Sequence, residues 1–393
     1  MLAETTVLGS RVDLGGQWIG RGHHRFAALA AELGTDVFEM HTSKRPSIIQ
    51  GDTMIRTWSP DLVAAGAVLA IWETLARIGT PRSWKPLSVR AWLRRVPNRR
   101  ARRLLEVLVS VTSTADLGDF SMHAFLEMVR YQGGLTAMLS TTGGAQENLV
   151  VQAAGTLTER LAAELGDRVA FDSAVTALHR DETGVTVHST GGTYRAAEVI
   201  VTVASPTAAG IEHQPPLPAH RIRLQDNTSM GVVYKAIAVF ERPFWRERRD
   251  AEMIVLADSG MAVFDTSPPR GPGHLCVLVA GPEARAFDGL TLDARRSTIL
   301  GLLVAHLGSE ILEPRGWHEK AWHQDRHTGG GYSALPILGH EDGYFPVAAD
   351  PTGHIHWAGT ETAGEHAGYV EGAIESGERA AREVIRAMGG APR

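Results

Sequence analysis

Along the first forty residues the polar and apolar positions change rhythm once. A short alternating run at 10–14 predicts a strand, followed by a glycine-rich turn. Phe26, Leu29, Ala30 and Leu33 then recur at helical spacing, with Gly34 where the C-terminus of that helix would fall. Residues 45–150 keep a mainly helical pattern, broken at Thr80-Pro81 and at Pro97-Asn98. Beyond 150 the grammar shifts. A helix over 157–165 should stop at Gly166-Asp167, and residues 169–171 and 174–178 read as strands. Residues 184–188 and Tyr194-Arg195 read as a hairpin around Thr190-Gly191-Gly192. A short apolar run within 198–203 is of the kind buried in a parallel sheet. Strands are predicted again at 232–240 and 275–280, a helix over 291–308, and a strand at 354–358 that feeds the last helix. There Val370, Ala373, Ile374, Gly377, Ala380, Ala381, Val384 and Ile385 form one apolar stripe, which predicts a face packed on a core.

Strands and helices interleaved in this way predict an α/β (α+β) chain. One discontinuous domain would comprise 1–40, 151–225 and 326–393. A mixed sheet-and-helix domain, 41–150 and 226–325, would be inserted into it twice.

Composition narrows the partners. At 393 residues and 44% hydrophobic content the chain can bury a large core in two domains. A formal net charge of −5 provides no global field toward nucleic acid or membrane. Locally, Arg82, Lys85, Arg90, Arg94, Arg95, Arg99, Arg100, Arg102 and Arg103 make a basic run with Trp84 and Trp92 interleaved. Such a run could face nucleic acid or an acidic membrane surface. Trp92, Leu93 and Val96 favour the plainer reading of amphipathic helices with solvated arginines, so no nucleic-acid partner is expected. The single cysteine, Cys276, excludes an internal disulfide and a cysteine-based zinc cluster. The histidines show no metal-binding spacing, and His23-His24 are adjacent, so no metal is expected. No stretch approaches the roughly 18 apolar residues of a membrane span. No basic region followed by an apolar one opens the chain, and a cytoplasmic location is the expectation.

The strongest chemical signal lies at the C-terminus. Gly368, Gly372 and Ala373 keep the start of the last helix small, so its free N–H groups and positive dipole end can face an electron-rich ligand. An ordinary strand-to-helix crossover would look the same from these residues alone. The wording goes further. Ala358-Gly359-Thr360-Glu361-Thr362, followed by Gly368-Tyr369-Val370-Glu371-Gly372-Ala373, resembles the closing signature of the flavin monoamine oxidases. Val12-Asp13-Leu14-Gly15-Gly16-Gln17-Trp18-Ile19-Gly20 is similar to that family's early segment beside the flavin, and the resemblance extends over residues 10–388.

That resemblance implies an FAD-binding Rossmann-like domain of the amine oxidase type and a substrate domain. The implied reaction oxidises an amine to an imine, then an aldehyde or ketone plus ammonia, while oxygen becomes hydrogen peroxide. An amino acid or polyamine is the alternative substrate class. By the same resemblance FAD would lie against Gly15, Gly16, Gln17, Trp18, Gly359, Thr360, Glu361, Tyr369 and Val370. Val175 would meet the adenine through its backbone, although a strand-core valine accounts for it equally well. Lys235 resembles the lysine near flavin N5, and Trp322 an aromatic near the flavin face. Tyr332 and Tyr369 would flank the amine through their electron-rich rings, with Leu139 and Gln146 lining the substrate space. Vertebrate monoamine oxidases bond flavin through a cysteine just before the first of these tyrosines. Here that position is Gly331, which implies non-covalent FAD.

Two departures accompany the likeness. No G-x-G-x-x-G turn precedes Val12, where 11 residues stand against the roughly 30 that a βαβ unit needs. Gln152-Ala153 replaces the family's Gly-Gly pair. The expectation is therefore an N-terminally truncated FAD domain. Beside the enzyme reading stands a non-catalytic or partner-dependent subunit, with another chain supplying the ADP-binding unit; a homodimer is a further expectation.

Overall fold

The computed structural model describes residues 1–42, 46–51, 53–248 and 252–389. Its largest element is a seven-stranded sheet in the order Gly316–Ala321, Val233–Phe240, Gly273–Ala280, Met261–Asp265, Met253–Leu256, Ser47–Gln50, Thr53–Met54. Val233–Phe240 and Gly273–Ala280 pair antiparallel along their whole length and are buried at every position. Both faces are covered, which is why these strands are apolar apart from Lys235 and His274. Tyr234, Ala236, Ala238 and Phe240 pack with Trp245 and the helix Leu292–Leu307 on one side. Ile237, Val239, Cys276 and Leu278 pack with Val12, Leu14 and Leu149 on the other.

A helical layer surrounds Trp72, Leu105 and Phe125. Its helices, Pro60–Ile78, Val89–Leu93, Arg99–Ser113 and Met122–Tyr131, begin at Ser59, Ser88, Asn98 and Ser121, whose side chains accept the free N–H groups of the first turn. The sequence stops at Pro81 and Pro97-Asn98 thus correspond to real helix boundaries. The predicted hairpin is present as Gly184–Ser189 with Gly192–Ala196, in a four-stranded sheet with Val175–Asp181 and Glu212–Gln214. Val199–Val201 runs parallel to Ile355–Trp357.

Three expectations are corrected. Residues 169–171 do not form a strand: a 3-10 turn, Gly166–Arg168, leads into irregular chain, and Phe171 is 77% exposed. No described strand lies alongside to share its backbone groups, and an extended run without a ladder is not stable. The run at 198–203 is only partly buried, with Ile200 exposed. The apolar stripe of the last helix, Val370–Ala387, is not its packed face. The buried seam is Glu371, Gly372, Ser376 and Ala380, whereas Ala373, Ala381 and Ile385 are exposed. Hydrogen bonding turns the helix. The Glu371 carboxylate accepts the N–H groups of Arg25 (3.1 Å) and Phe26 (2.8 Å), and the Ser376 hydroxyl accepts that of Gly359 (3.0 Å). Of the stripe, Ala380 is buried in the seam, and Val370 and Ile374 pack beside Phe26 and Leu157.

Candidate active site

Alternation along Val233–Phe240 puts Lys235 on the same face as Ile237 and Val239, toward residues 12–18. Lys235 is 3% exposed. Its Nζ donates to the Gly15 carbonyl (2.8 Å) and to Gln17 Oε1 (2.7 Å), and lies 5.5 Å from the Trp18 ring centroid. Trp322 Nε1 donates to the Leu14 carbonyl (2.6 Å). The strand Val233–Phe240 and the 3-10 turn Trp322–Gln324, distant in sequence, therefore clamp the early segment. Asp13 fastens its near end, accepting the N–H groups of Ala154 (2.6 Å) and Gly155 (2.9 Å) at the start of the helix Gly155–Leu165.

The electrostatics follow from burial. Loss of water pushes the Lys235 amine below its ordinary range, opposed by Cys276 and Asp13. Burial pushes the Asp13 carboxyl up, opposed first by Lys235 and then by its two backbone donors. Cys276 pairs with Ile237, which sets it diagonally from Lys235 on the same face, and burial pushes its thiol up.

Gly15 and Gly16 run between Trp322 and the last helix. A Cβ at Gly15 would stand 3.5 Å from Trp322 Cζ2, and one at Gly16 would stand 3.5 Å from Val370 Cγ2. The last helix starts after Tyr369 with no side-chain cap, so the N–H groups of Val370, Glu371 and Gly372 have no partner within the helix. The approach to it is braced. Gly359 sits at φ +123°, and Thr360 Oγ1 accepts the Gly368 N–H (2.7 Å) while donating to the Tyr369 carbonyl (2.9 Å). The Glu361 carboxylate is taken by the Ala334 N–H (2.8 Å), which ties the last strand-to-helix turn to Ala334–Pro336.

Tyr332 and Tyr369 arrive on neighbouring segments, because a Cβ at Gly368 would lie 3.7 Å from Ser333 Oγ. Tyr332 is 42% exposed, and its N–H donates to Thr114 Oγ1 (3.1 Å), which itself donates to the Gly331 carbonyl. The Tyr369 ring leans on His23, with centroids 4.9 Å apart, and His366 lies 5.1 Å from His23. His23 Nδ1 accepts the Gly20 N–H (2.9 Å); burial, then His366, pushes its pKa down to about 4, so the ring is neutral with its proton on Nε2.

The segment holding Leu139 and Gln146 packs on the early segment. A Cβ at Gly20 would be 2.8 Å from the Ala145 Cα, and the Arg21 N–H donates to the Gly144 carbonyl (3.1 Å). Leu139 closes the helix Leu135–Leu139 against the helical core, and Gln146 is half-buried. Val175 lies apart from this group: it is an exposed residue opening the strand Val175–Asp181. Ala153 adopts φ +67°, a left-handed conformation that favours glycine. Sequence reasoning missed Asp13, His23, Thr114 and Glu371 as working parts. Only Asp13 carried a signal, a charge between the apolar Val12 and Leu14.

The donor set suits an electron-rich planar ring. It combines the open N–H groups at 370–372, the Lys235 amine, and the Gln17 Nε2, which is buried without a partner. The two glycines leave a wall where side chains would press on Trp322 and Val370. The ring end of a flavin fits these residues. A pyrophosphate finds less. The helix Gly155–Leu165 has its N-terminus closed by the Asp13 carboxylate, and that of His24–Glu32 is closed by Glu371.

Comparison with known proteins agrees with this chemistry. The family model of flavin-containing amine oxidoreductases matches residues 3–385. Flavin-containing amine oxidase B of Canis lupus familiaris is 31% identical over 409 residues, covering 97% of this chain and 78% of its own. The Homo sapiens amine oxidase B is 30% identical over 407 residues with the same coverage. The structure of cyclohexylamine oxidase from Brevibacterium oxydans superposes with a TM-score of 0.93 at 24% identity, over 99% of this chain and 91% of that one, which speaks for the fold. Putrescine oxidase bound to putrescine gives 0.88 at 25% identity over 98% and 90%. The chain therefore belongs to the flavin-containing amine oxidoreductase family.

Proposed function

We propose that this chain oxidises an amine to an imine with non-covalently held FAD, the imine then hydrolysing to an aldehyde or ketone and ammonia. One observation carries the reading. The buried Lys235 amine, tied to Gly15 and Gln17, shares a wall with Trp322, Gly16 and the uncapped start of the last helix at Val370. FAD, when bound there, supplies the hydride acceptor and passes the electrons to oxygen, giving peroxide.

The chain's own residues do the rest. A neutral Lys235 satisfies both acceptors with its two N–H bonds and keeps a lone pair for a water proton; the ammonium offers a third N–H instead. Burial favours the neutral form, so Nζ can take up and return a proton without leaving its site. The N–H groups of Val370 and Glu371 and the amide of Gln17 would hold the electron-rich edge of the ring. Tyr332 and Tyr369 would orient the amine, with His23 fixing the tilt of Tyr369. Gly331 brings no thiol to the cofactor, and Cys276, the only cysteine, is fully buried.

Mixing the purified chain with excess FAD, separating by gel filtration and recording the visible spectrum tests the reading. Retained flavin bands that bleach anaerobically with an amine, and peroxide on return to air, are expected. Retained flavin that no amine bleaches would overturn it. A second reading rests on the strand Ile355–Trp357, which pairs only with Val199–Val201 among the described strands. There the nucleotide half of FAD is held by a further polypeptide. A chain that stays colourless alone, but takes up FAD with a co-expressed glycine-rich βαβ polypeptide, would favour it.

A further inference from the structure

Tyr332 lies where a strand pairing has run out. The ladder between Thr228–Met230 and Ala334–Pro336 ends at the pair Met230 and Ala334. Beyond it one main-chain bond remains, from the Gly331 N–H to the Gly231 carbonyl (3.0 Å). The Tyr332 N–H falls outside the ladder, and the Thr114 hydroxyl accepts it at 3.1 Å. That hydroxyl has the Gly331 carbonyl within reach as an acceptor, with the Ser113 carbonyl at 2.5 Å as the other. Thr114 therefore holds the peptide that leads into Tyr332.

Thr114 is tied equally to the strand that carries Lys235. Its carbonyl accepts the Val232 N–H (2.8 Å), one residue before Val233–Phe240, and the Val232 carbonyl accepts the Gly281 N–H (2.8 Å). The approach is close. A Cβ at Gly231 would overlap both Thr114 Oγ1 and the Gly331 carbonyl, and one at Gly331 would stand 3.3 Å from Val233 Cγ1. The end of a helix, the start of the Lys235 strand and the Tyr332 segment thus meet at one fully buried threonine.

The backbone there is strained. Thr114 closes the helix Arg99–Ser113 in the left-handed conformation, at φ 58°. Glycine or asparagine suits that place at a helix end, and a β-branched residue is an outlier in it. A helix stop needs no hydroxyl aimed at a segment more than 200 residues away. Strain retained at one position points to what its side chain does.

From this we infer that Thr114 is a positioning residue for the amine: its hydroxyl fixes Tyr332 relative to Lys235. The inference rests on the proposed amine oxidation, in which Tyr332 orients the substrate and Lys235 handles the proton. Thr114 acts through the Tyr332 peptide and not on the amine itself. Misplacing an orienting group by about 1 Å can slow a reaction about a hundredfold.

The test uses the full chain loaded with FAD and three variants. Thr114→Val keeps the shape and loses the hydroxyl, and Thr114→Ser keeps the hydroxyl. Thr114→Gly loses it while accepting the left-handed backbone, so the comparison stands even where Thr114→Val does not fold. Two readouts are taken well below the melting temperature: anaerobic flavin bleaching at saturating amine, and hydrogen exchange of the Tyr332 N–H. Thr114→Val and Thr114→Gly should bleach roughly ten- to a hundredfold more slowly and exchange that N–H faster, with flavin retained. Thr114→Ser should match the parent in both. A purely structural threonine would lower the melting temperature and leave the bleaching rate alone. A folded variant without the hydroxyl that bleaches at the parent rate overturns the inference, as does Thr114→Ser as slow as Thr114→Val. A parent that no amine bleaches defeats the proposed reaction and takes this inference with it, whereas variants that keep pace with an active parent defeat the inference alone.

Discussion

Glu371 offers a direct way to ask whether the last helix anchors the early part of the chain. The helix His24–Glu32 begins at His23, whose side chain does not cap it. Glu371, 1% exposed, does so from 345 residues away, accepting the Phe26 N–H at 2.8 Å and the Arg25 N–H at 3.1 Å. Glu371→Ala removes a cap worth about 1 kcal/mol. It also removes an anion from the positive end of a helix, worth up to about 1 kcal/mol. The void left by the missing carboxyl adds on the order of 1 kcal/mol. The expected loss is about 3 kcal/mol, a fall in melting temperature of about 4 °C in a chain of 393 residues. Glu371→Gln keeps one acceptor and should lose about half as much. Thermal melting reads the total, and hydrogen exchange at Arg25 and Phe26 reads the cause. Melting within about 1 °C of the parent, or unchanged protection of those two amides, would refute the reasoning.

Three further outcomes are expected. Lys235→Met should lower amine turnover by about a hundredfold or more. It should also abolish a limb of the pH–rate profile that lies below the ordinary lysine value of 10.5, because burial disfavours the ammonium; an unchanged profile would exclude Lys235 as the proton carrier. His23 and His274 are each held at about 4 against an ordinary 6.5, so they bind protons more readily once unfolded. Their contribution is complete above pH 6.5 and is lost as pH falls through 4, at most about 3 kcal/mol each. Melting temperatures that stay level across that window would contradict this, and His23→Gln should flatten the slope. Ala153→Gly should relax the left-handed backbone at φ +67° and raise stability by roughly 0.5–1 kcal/mol; a drop in melting temperature would show that the methyl group's packing matters more.

Much of the architecture was legible because it is written locally. The breaks at Thr80-Pro81 and Pro97-Asn98 mark real helix boundaries, and the mainly apolar runs in Val233–Phe240 and Gly273–Ala280 mark a sheet covered on both faces. The pattern failed where a local signal needed a partner. Residues 169–171 have the composition of a strand but no described neighbour to pair with. The last helix has an apolar stripe, yet Glu371 and Ser376 turn its polar side inward to satisfy backbone donors elsewhere. The candidate site divides the same way. Motif wording singled out Lys235, Trp322, Gly15 and Gln17 and included Glu371 without a role, whereas His23 and Thr114 lay outside any motif.

By itself the sequence determined the place of most strands and helices, the breaks between them, the mixed α/β class and the family wording at both ends of the chain. Those properties depend on neighbours within a turn or a strand, so a single linear pattern can carry them. Only the tertiary structure decided which face of the last helix is buried, and that Lys235 meets a glutamine 218 residues earlier. A buried donor or acceptor must be satisfied by whatever group the fold brings within hydrogen-bond reach. That choice is made across the assembled molecule.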